Sequence, residues 1–548
     1  MAYPSKRLKL DNEVPPDIWR EIAELLNPID VVALGETCRA LHEATAERTL
    51  WMNLLKAMCM EYDLFLPSYP IDEMSATQLR RAALGPHLWT QRVYKHAVSP
   101  NVSLHDLGTN VLPPVSTIPF YGRLKYELRR HLVPGGRFLI TCDAEHSDRD
   151  PRATRDTDIF TLKLWDLGFA GRKPLLQPQL LASREIGSWL EIIHIEMDCS
   201  IRGDETLAVA LGTIASNSHR CLFRVFIISP HRPNPSFHQL SCLSADISHH
   251  DIPPSEFDLR GDKVLAQFGG VLVVWGFMVN LYAVVPLYAV DRRALYLAKH
   301  FLLLGDLLIL VTRMGAHQYQ LSEWTTLPDT QVPPHVEIPP ISTLSGSQSQ
   351  HITLPPHRLG GGHNMIFISP SSISLPLTWD IIETSGTRTA AGFVQSQRFS
   401  LSIQDEHLND RKAPKSASDM INLSLDHVGT YKAPSGEWAS PCTTPPVAWN
   451  SKVPLTLLKM IPRGWETSQL RPGLGPQVMD VLYWIVPFKD NPPTNQSEDA
   501  AGQTHIMGFA ALRYGDVFAS CTATGRFIVV DIESGTGRQQ MSLVDYMA

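Results

Sequence analysis

The chain of 548 residues has no excess of positive charge. Its 48 Lys and Arg stand against 55 Asp and Glu, for a net charge of −7 and a pI near 6.3. That balance argues against a general nucleic-acid-binding protein, which needs a basic footprint for phosphates. Cysteine is scarce: eight residues, at positions 38, 59, 142, 199, 221, 242, 442 and 521, with no CxxC pair and no zinc-ligand spacing. Such scatter fits free thiols in a reducing compartment better than a disulfide framework. No secretory signal opens the chain, so the sequons at Asn101, Asn422 and Asn495 carry little weight. An intracellular protein of the nucleus or cytoplasm is expected.

Catalytic signatures are missing too. There is no GxSxG elbow, no Walker A loop, no GxGxxG after a strand and no HExxH. The glycines of Leu359-Gly360-Gly361-Gly362-His363 precede no helix signal and read as a flexible turn. His249, His250 and Asp251, with His351, His357 and His363, lie in polar or proline-rich stretches without the close pairing a metal needs. They read as surface histidines. No enzyme, cofactor or metal is expected.

Long hydrophobic runs are few. Residues 271 to 290 would span a bilayer in length, but Asn280 sits mid-run and Gly276 and Pro286 interrupt it. Its valines and aromatics favour two buried strands joined near Met278 to Asn280. Similar hairpins recur: 207–214 with 222–228, 264–268 with 271–275, 302–304 with 307–312, and 509–512 with 517–522 and 527–532. Gly261-Asp262, Gly269-Gly270, Gly305-Asp306 and Gly515-Asp516 supply turns between strands. Short strands repeating irregularly every 40 to 60 residues or so suggest a degenerate β-propeller over 101–548. Two stacked β-sandwiches are the alternative. Segments 326–363, 432–454 and 489–503 read as long loops on this domain.

The first hundred residues differ. Residues 1–12 form a polar tail expected to be disordered, with Lys6, Arg7 and Lys9 clustered as a nuclear-import candidate. The stretch KRLKLD resembles the compact import signal of the Myc transcription factor. After the tail, Ile18, Trp19, Ile22, Leu25 and Leu26 share one helical face, begun at Pro15-Pro16-Asp17 and stopped at Asn27-Pro28. A second short helix begins near Asp30, a third runs through Cys38 and Leu41, and a fourth carries Leu50, Trp51, Leu54, Leu55 and Met58. Three or four short helices bury too little surface to stand alone, so they should dock on something. Residues 58–100 read as a helical connector, with a helix from Ser75 to Leu84 ended by Gly85-Pro86.

Val14-Pro15, Asp17-Ile18, Ile22, Leu25, Pro28-x-Asp30, Leu34, Cys38-Arg39 and Trp51 stand in a register that resembles the F-box, over residues 13–57. The departures are Val14 where leucine is commonest and Leu41 near a frequent aromatic. With the β region, the chain resembles fungal F-box proteins: an α+β multidomain chain with an N-terminal helical F-box and a propeller-like remainder. The resemblance implies docking of Val14, Pro15, Ile18, Trp19, Ile22, Leu25, Leu26, Pro28, Leu34, Cys38, Arg39 and Trp51 on a Skp-type adaptor. Through that adaptor it implies a cullin and a RING subunit, with the β domain recruiting a protein target. The implied role is substrate receptor of an SCF ubiquitin ligase. The alternative is an F-box scaffold acting without ubiquitylation. Neither nucleic acid nor membrane is an expected partner. Deleting residues 1 to 11 from a tagged protein is expected to abolish nuclear accumulation in fluorescence microscopy; unchanged accumulation would remove the import role from Lys6, Arg7 and Lys9.

Overall fold

A computed structural model gives the architecture. It describes residues 14–96, 114–124, 129–145, 159–170, 177–188, 192–215, 219–250, 254, 256–287, 300–312, 315–321, 324–327, 333–340, 344 and 349–353. Further along it describes 364–368, 377–385, 393–403, 423–432, 438–441, 455–462, 480–485, 509–513, 516–521, 523–532 and 539–547. The basic tail and the 489–503 segment lie outside the described residues.

Six α-helices come first among the described residues: α1 (Pro16–Glu24), α2 (Pro28–Gly35), α3 (Arg39–Thr45), α4 (Arg48–Glu61), α5 (Ala76–Ala83) and α6 (Gly85–His96). Prolines open α1 and α2 at positions where a missing N–H is harmless, and Asp17 and Asp30 sit in the first turns, beside the positive end of the helix dipole. A capping box starts α5: Gln78 N–H donates to Ser75 Oγ at 3.3 Å, and Ser75 N–H to Gln78 Oε1 at 2.9 Å. Gly85-Pro86 ends α5 as the sequence suggests, and the next helix follows at once. The same pair opens α6, because proline in a first turn forfeits no hydrogen bond.

Seven sheets follow among the described residues, in chain order and antiparallel except for one added strand. The first holds Arg129–Leu132, Phe138–Glu145, Ile159–Asp166 and Gln179–Ser188. The second holds Ile192–Arg202, Thr206–Ala215, Arg220–Ile228 and His238–Asp246, and the third runs from Glu256–Arg260 to Leu281–Pro286. The fourth begins at His300–Leu304, the fifth at Asn364–Ile368 and the sixth at Trp438–Pro441. The seventh holds Asp516–Cys521, Arg526–Ile532 and Gln539–Asp545, and its fourth strand comes from the front of the chain. Ser116–Leu124 pairs with Gln539–Asp545, Ser116 opposite Asp545 and Phe120 opposite Met541.

The first strands of successive sheets touch: Arg129–Leu132 with Ile192–Arg202, and that strand with Glu256–Arg260. Arg129–Leu132 also touches Asp516–Cys521, so the seventh sheet returns to the first. This is a β-propeller with irregular blades, and stacked sandwiches are excluded. Arg129 ties the first blade to the second, through Nη2 to Glu196 Oε1 at 2.7 Å and Nε to the Ile195 carbonyl at 2.8 Å. Asp198 ties the second to the third, accepting the Leu259 N–H at 2.7 Å. The apolar run at 271–290 forms Val271–Gly276 and Leu281–Pro286, turning at Asn280 with φ of 56°. No helix among the described residues is long and apolar enough to cross a membrane.

Two expected loops contain structure. Segment 326–363 carries strands His335–Glu337 and Ser349–Thr353, and segment 432–454 carries Trp438–Pro441. Valine and isoleucine at alternate positions override the flanking prolines in the first case, a tertiary effect that composition hides.

The helices and the ring share one core. Leu54, Met58, Tyr69, Met74, Leu79 and Ala83 pack in the same cluster as Leu132, Leu139, Leu167, Cys521, Ile528 and Leu543. Residues 58–96 therefore act as a joint rather than a spacer. At its centre is Arg526, fully buried: Nε donates to Asp545 Oδ2 at 2.7 Å, Nη1 to the carbonyls of Gly136 (3.0 Å) and Gly168, and Nη2 to that of Phe169 (3.0 Å). The turn at Gly135-Gly136 comes so close that a Cβ on Gly135 would lie 2.6 Å from Ser68 and one on Gly136 2.7 Å from Thr524. Both have positive φ, so glycine is required twice over. Trp89 of α6 packs on Phe527 and Tyr546, ring centroids 6.0 and 5.7 Å away.

Replacing Arg526 by alanine strands a buried carboxylate and three carbonyls, and is expected to cost about 3–5 kcal/mol in chemical denaturation. A loss under about 1 kcal/mol would show that the guanidinium is dispensable to the joint.

Candidate functional site

The sequence places Ile18, Trp19, Ile22, Leu25 and Leu26 on one helical face; the structure splits that face in two. Ala23 is buried, and Leu26 packs partly buried against the core of Leu50, Trp51, Leu54 and Leu55, with Val31 of α2 and half-buried Val32 and Leu34. Trp19 is half-buried. Ile18 (43% exposed), Ile22 (39%) and Leu25 (88%) turn to solvent, and Ile29 (37%) of α2 joins them. The spacing i, i+4, i+7 explains both rows: 19, 23 and 26 look inward while 18, 22 and 25 look outward. Of twelve large apolar side chains exposed among the described residues, these four fall within positions 18–29. Such clustering on one short segment marks a contact surface more than chance exposure does.

The remaining sequence-selected residues divide. Val14, Pro28, Leu34 and Cys38 are half-buried, and Pro15 and Arg39 exposed. Trp51 is different. It is 2% exposed, its Nε1 donates to the Thr45 carbonyl at 2.7 Å, and Arg80 lies over its ring at 5.6 Å. It supports the helices from within and offers no surface to a partner. Lys6, Arg7 and Lys9 lie outside the described residues.

The platform beneath the outward row is braced by charge. Arg20 pairs with Glu47 across the bundle. Arg48 donates to the carbonyls of Met74 (3.0 Å) and Ile71 (2.5 Å), fixing the start of α4 to the connector. Exposed Asp17, Glu21, Glu24, Asp30 and Glu36 rim the apolar row. Sequence periodicity found the row but could not say which half of a wide stripe its own core would claim.

Among the described residues, no three His, Cys, Asp or Glu side chains gather at metal-binding distance. His250 Nε2 donates to the Ile338 carbonyl (3.3 Å), and His351 pairs in the ladder with His317; His357 and His363 lie outside the described residues. Burial pushes the Cys59 and Cys142 thiols up to about 12, which keeps them protonated and poor nucleophiles. A cavity of about 30 Å³ at the joint, lined by Tyr69, Arg81, Gly85, Phe169, Thr524 and Met547, has room for a water or two. Asp166 of the Trp165-Asp166 pair binds Arg137 at 2.8 Å, a structural use.

No protein-family model and no curated protein matches the chain. Among solved structures, it is similar to the WD40 domain of SCAP from fission yeast, at 9% identity and a TM-score of 0.30, over 79% of this chain and 99% of that one. It is similar also to the Nup133 β-propeller domain of Vanderwaltozyma polyspora, at 11% identity and a TM-score of 0.30, over 78% and 99%. The propeller assignment rests on the sheet order and the ring contacts described above.

Leu25→Asp is expected to change stability by less than about 0.5 kcal/mol, because the side chain is almost free of contacts. Leu54→Ala should cost about 2–5 kcal/mol in the same thermal or urea melts. Equal losses would mean that α1 packs differently from the arrangement described.

Proposed function

We propose that the chain is a substrate-receptor subunit of an SCF-type ubiquitin ligase, in which α1 and α2 dock on a Skp-type adaptor and the propeller recruits a protein target. The observation that carries this reading is the outward row Ile18, Ile22, Leu25 and Ile29, set within the F-box register of residues 13–57. A helix with one buried face has no internal use for a second apolar face. Docking would remove that face from water and leave the braced core untouched.

The chain itself performs no chemistry in this scheme. It raises the local concentration of target lysines beside a charged conjugating enzyme. A shared core between the helices and the ring supports such a role, since a body without a loose hinge holds its target at a set distance. The propeller is read as a protein-interaction platform. The second reading, an F-box scaffold working without ubiquitylation, uses the same docking face.

In pull-downs from cells, Ile22→Asp and Leu25→Asp are expected to lose the Skp-type adaptor at least tenfold or so, on the scale of a desolvated charge in an apolar contact. Leu240→Asp, an exposed leucine on the second blade, serves as control and should retain it. Adaptor captured at wild-type level by Leu25→Asp would overturn the F-box assignment. Adaptor captured without cullin, or with cullin but no change in target turnover, would favour the scaffold.

A further inference from the structure

One segment leaves its own blade. The third and fourth strands of the fourth blade, Gly315–Gln320 and Ser349–Thr353, are hydrogen-bonded neighbours. A hairpin between such strands needs about two to five residues, yet the chain takes 28, from 321 to 348, before it returns. On the way, Thr325–Thr326 pairs with Leu281 and Tyr282 at the outer edge of the third blade. His335–Glu337 then pairs with His238–Asp246, the outermost original strand of the second blade.

That last pairing is parallel, whereas the strands within the second blade are antiparallel to one another. Its register sets His335 against Ser244, Val336 against Ala245 and Glu337 against Asp246. Ser244 N–H donates to the Pro334 carbonyl at 2.8 Å, and Ile338 N–H to the Asp246 carbonyl at 3.1 Å. Two histidines add contacts at its sides: His335 Nδ1 lies 3.2 Å from Ser244 Oγ, and His250 Nε2 lies 3.3 Å from the Ile338 carbonyl.

Side chains divide as in a bound peptide. Val336 (5% exposed) and Ile338 (0%) point inward, into the cluster that includes Ala245, Ile247, Leu259 and Leu327. Glu337 between them is exposed. Pro333-Pro334 and Pro339-Pro340 flank the anchors and stop the ladder at both ends, since proline donates no ladder hydrogen bond. Backbone pairing for affinity and pockets for alternate side chains for specificity define strand addition at a sheet edge.

We propose that the outer edge of the second blade is a peptide-docking edge, filled in cis by residues 334–338. Its partner in trans is an extended, proline-flanked peptide carrying β-branched aliphatic side chains two residues apart. The assignment is independent of the adaptor reading, because it concerns a different surface. The tether gives the cis segment an effective concentration on the order of millimolar, so a free peptide competes poorly until the anchors are removed.

The test uses the full chain and a fluorescent synthetic peptide of residues 331–340. A Val336→Asp/Ile338→Asp double variant vacates the edge and is expected to bind the peptide at least about tenfold more tightly than wild type in fluorescence anisotropy. A peptide carrying the same two aspartates should bind neither protein. No binding to a variant that still melts cooperatively would overturn the proposal. Hydrogen–deuterium exchange on the wild type guards against a variant that does not fold. The amides of His335, Val336, Glu337 and Ile338 should exchange faster than those of Arg220–Ile228, and equal protection would make the segment an integral strand and end the proposal.

Discussion

The guanidinium of Arg526 is the single group on which most of this architecture converges. It is buried completely, its charge is met by Asp545 directly across the strand pair, and its remaining donors reach three carbonyls of the first blade. A buried ion pair adds little net stability when satisfied, but it is severe when half of it is lost. That asymmetry makes it a device for specifying one arrangement. Only one relative placement of the seventh and first blades satisfies every donor, and the glycines at 135 and 136 allow the backbone to come near enough. Ser68 lies against Gly135 and Thr524 against Gly136 of that one turn, so the helices are seated by the contact that closes the ring.

From that fixed base, α1 and α2 extend the core outward and end in an apolar row that no other described residues cover. The inward row satisfies folding, and the outward row is surplus to it. The segment at 334–338 shows the opposite solution, an edge that would otherwise be bare and that the chain covers with its own residues. Both surfaces follow from one rule: backbone edges and apolar faces left in water invite partners. One is open and the other closed.

Much of this was legible in the sequence, for identifiable reasons. Helix starts at Pro16 and Ser75 rest on local hydrogen-bond chemistry, and two-residue glycine turns at 261–262, 269–270 and 305–306 rest on backbone sterics; all appear in place, while α2 begins at Pro28, two residues before the expected Asp30. The hairpin at 271–286 was readable because valine-rich runs with a mid-run asparagine suit paired strands. What escaped was non-local. No pattern pairs residue 116 with 545, or 526 with 136, and no composition reveals that a proline-rich stretch near 335 lies on a strand near 244. The outward row was half legible: periodicity gives the stripe, but which half a core consumes depends on where α3 and α4 fall. Trp51, chosen by pattern, proved a pillar of that core.

The pairing of Ser116–Leu124 with Gln539–Asp545 has a consequence in time. The two strands are roughly four hundred residues apart, which a ribosome covers in tens of seconds at about 5–20 residues per second. Throughout that interval the first strand waits with a free edge, and α5 and α6 wait without Phe527 and Tyr546 beneath Trp89. The amino-terminal helices emerge first yet are mounted last. A nascent chain interrupted before residue 526 would carry its apolar helical head without the seat that orients it, an unfinished product distinguishable from a finished one by the surface it leaves uncovered.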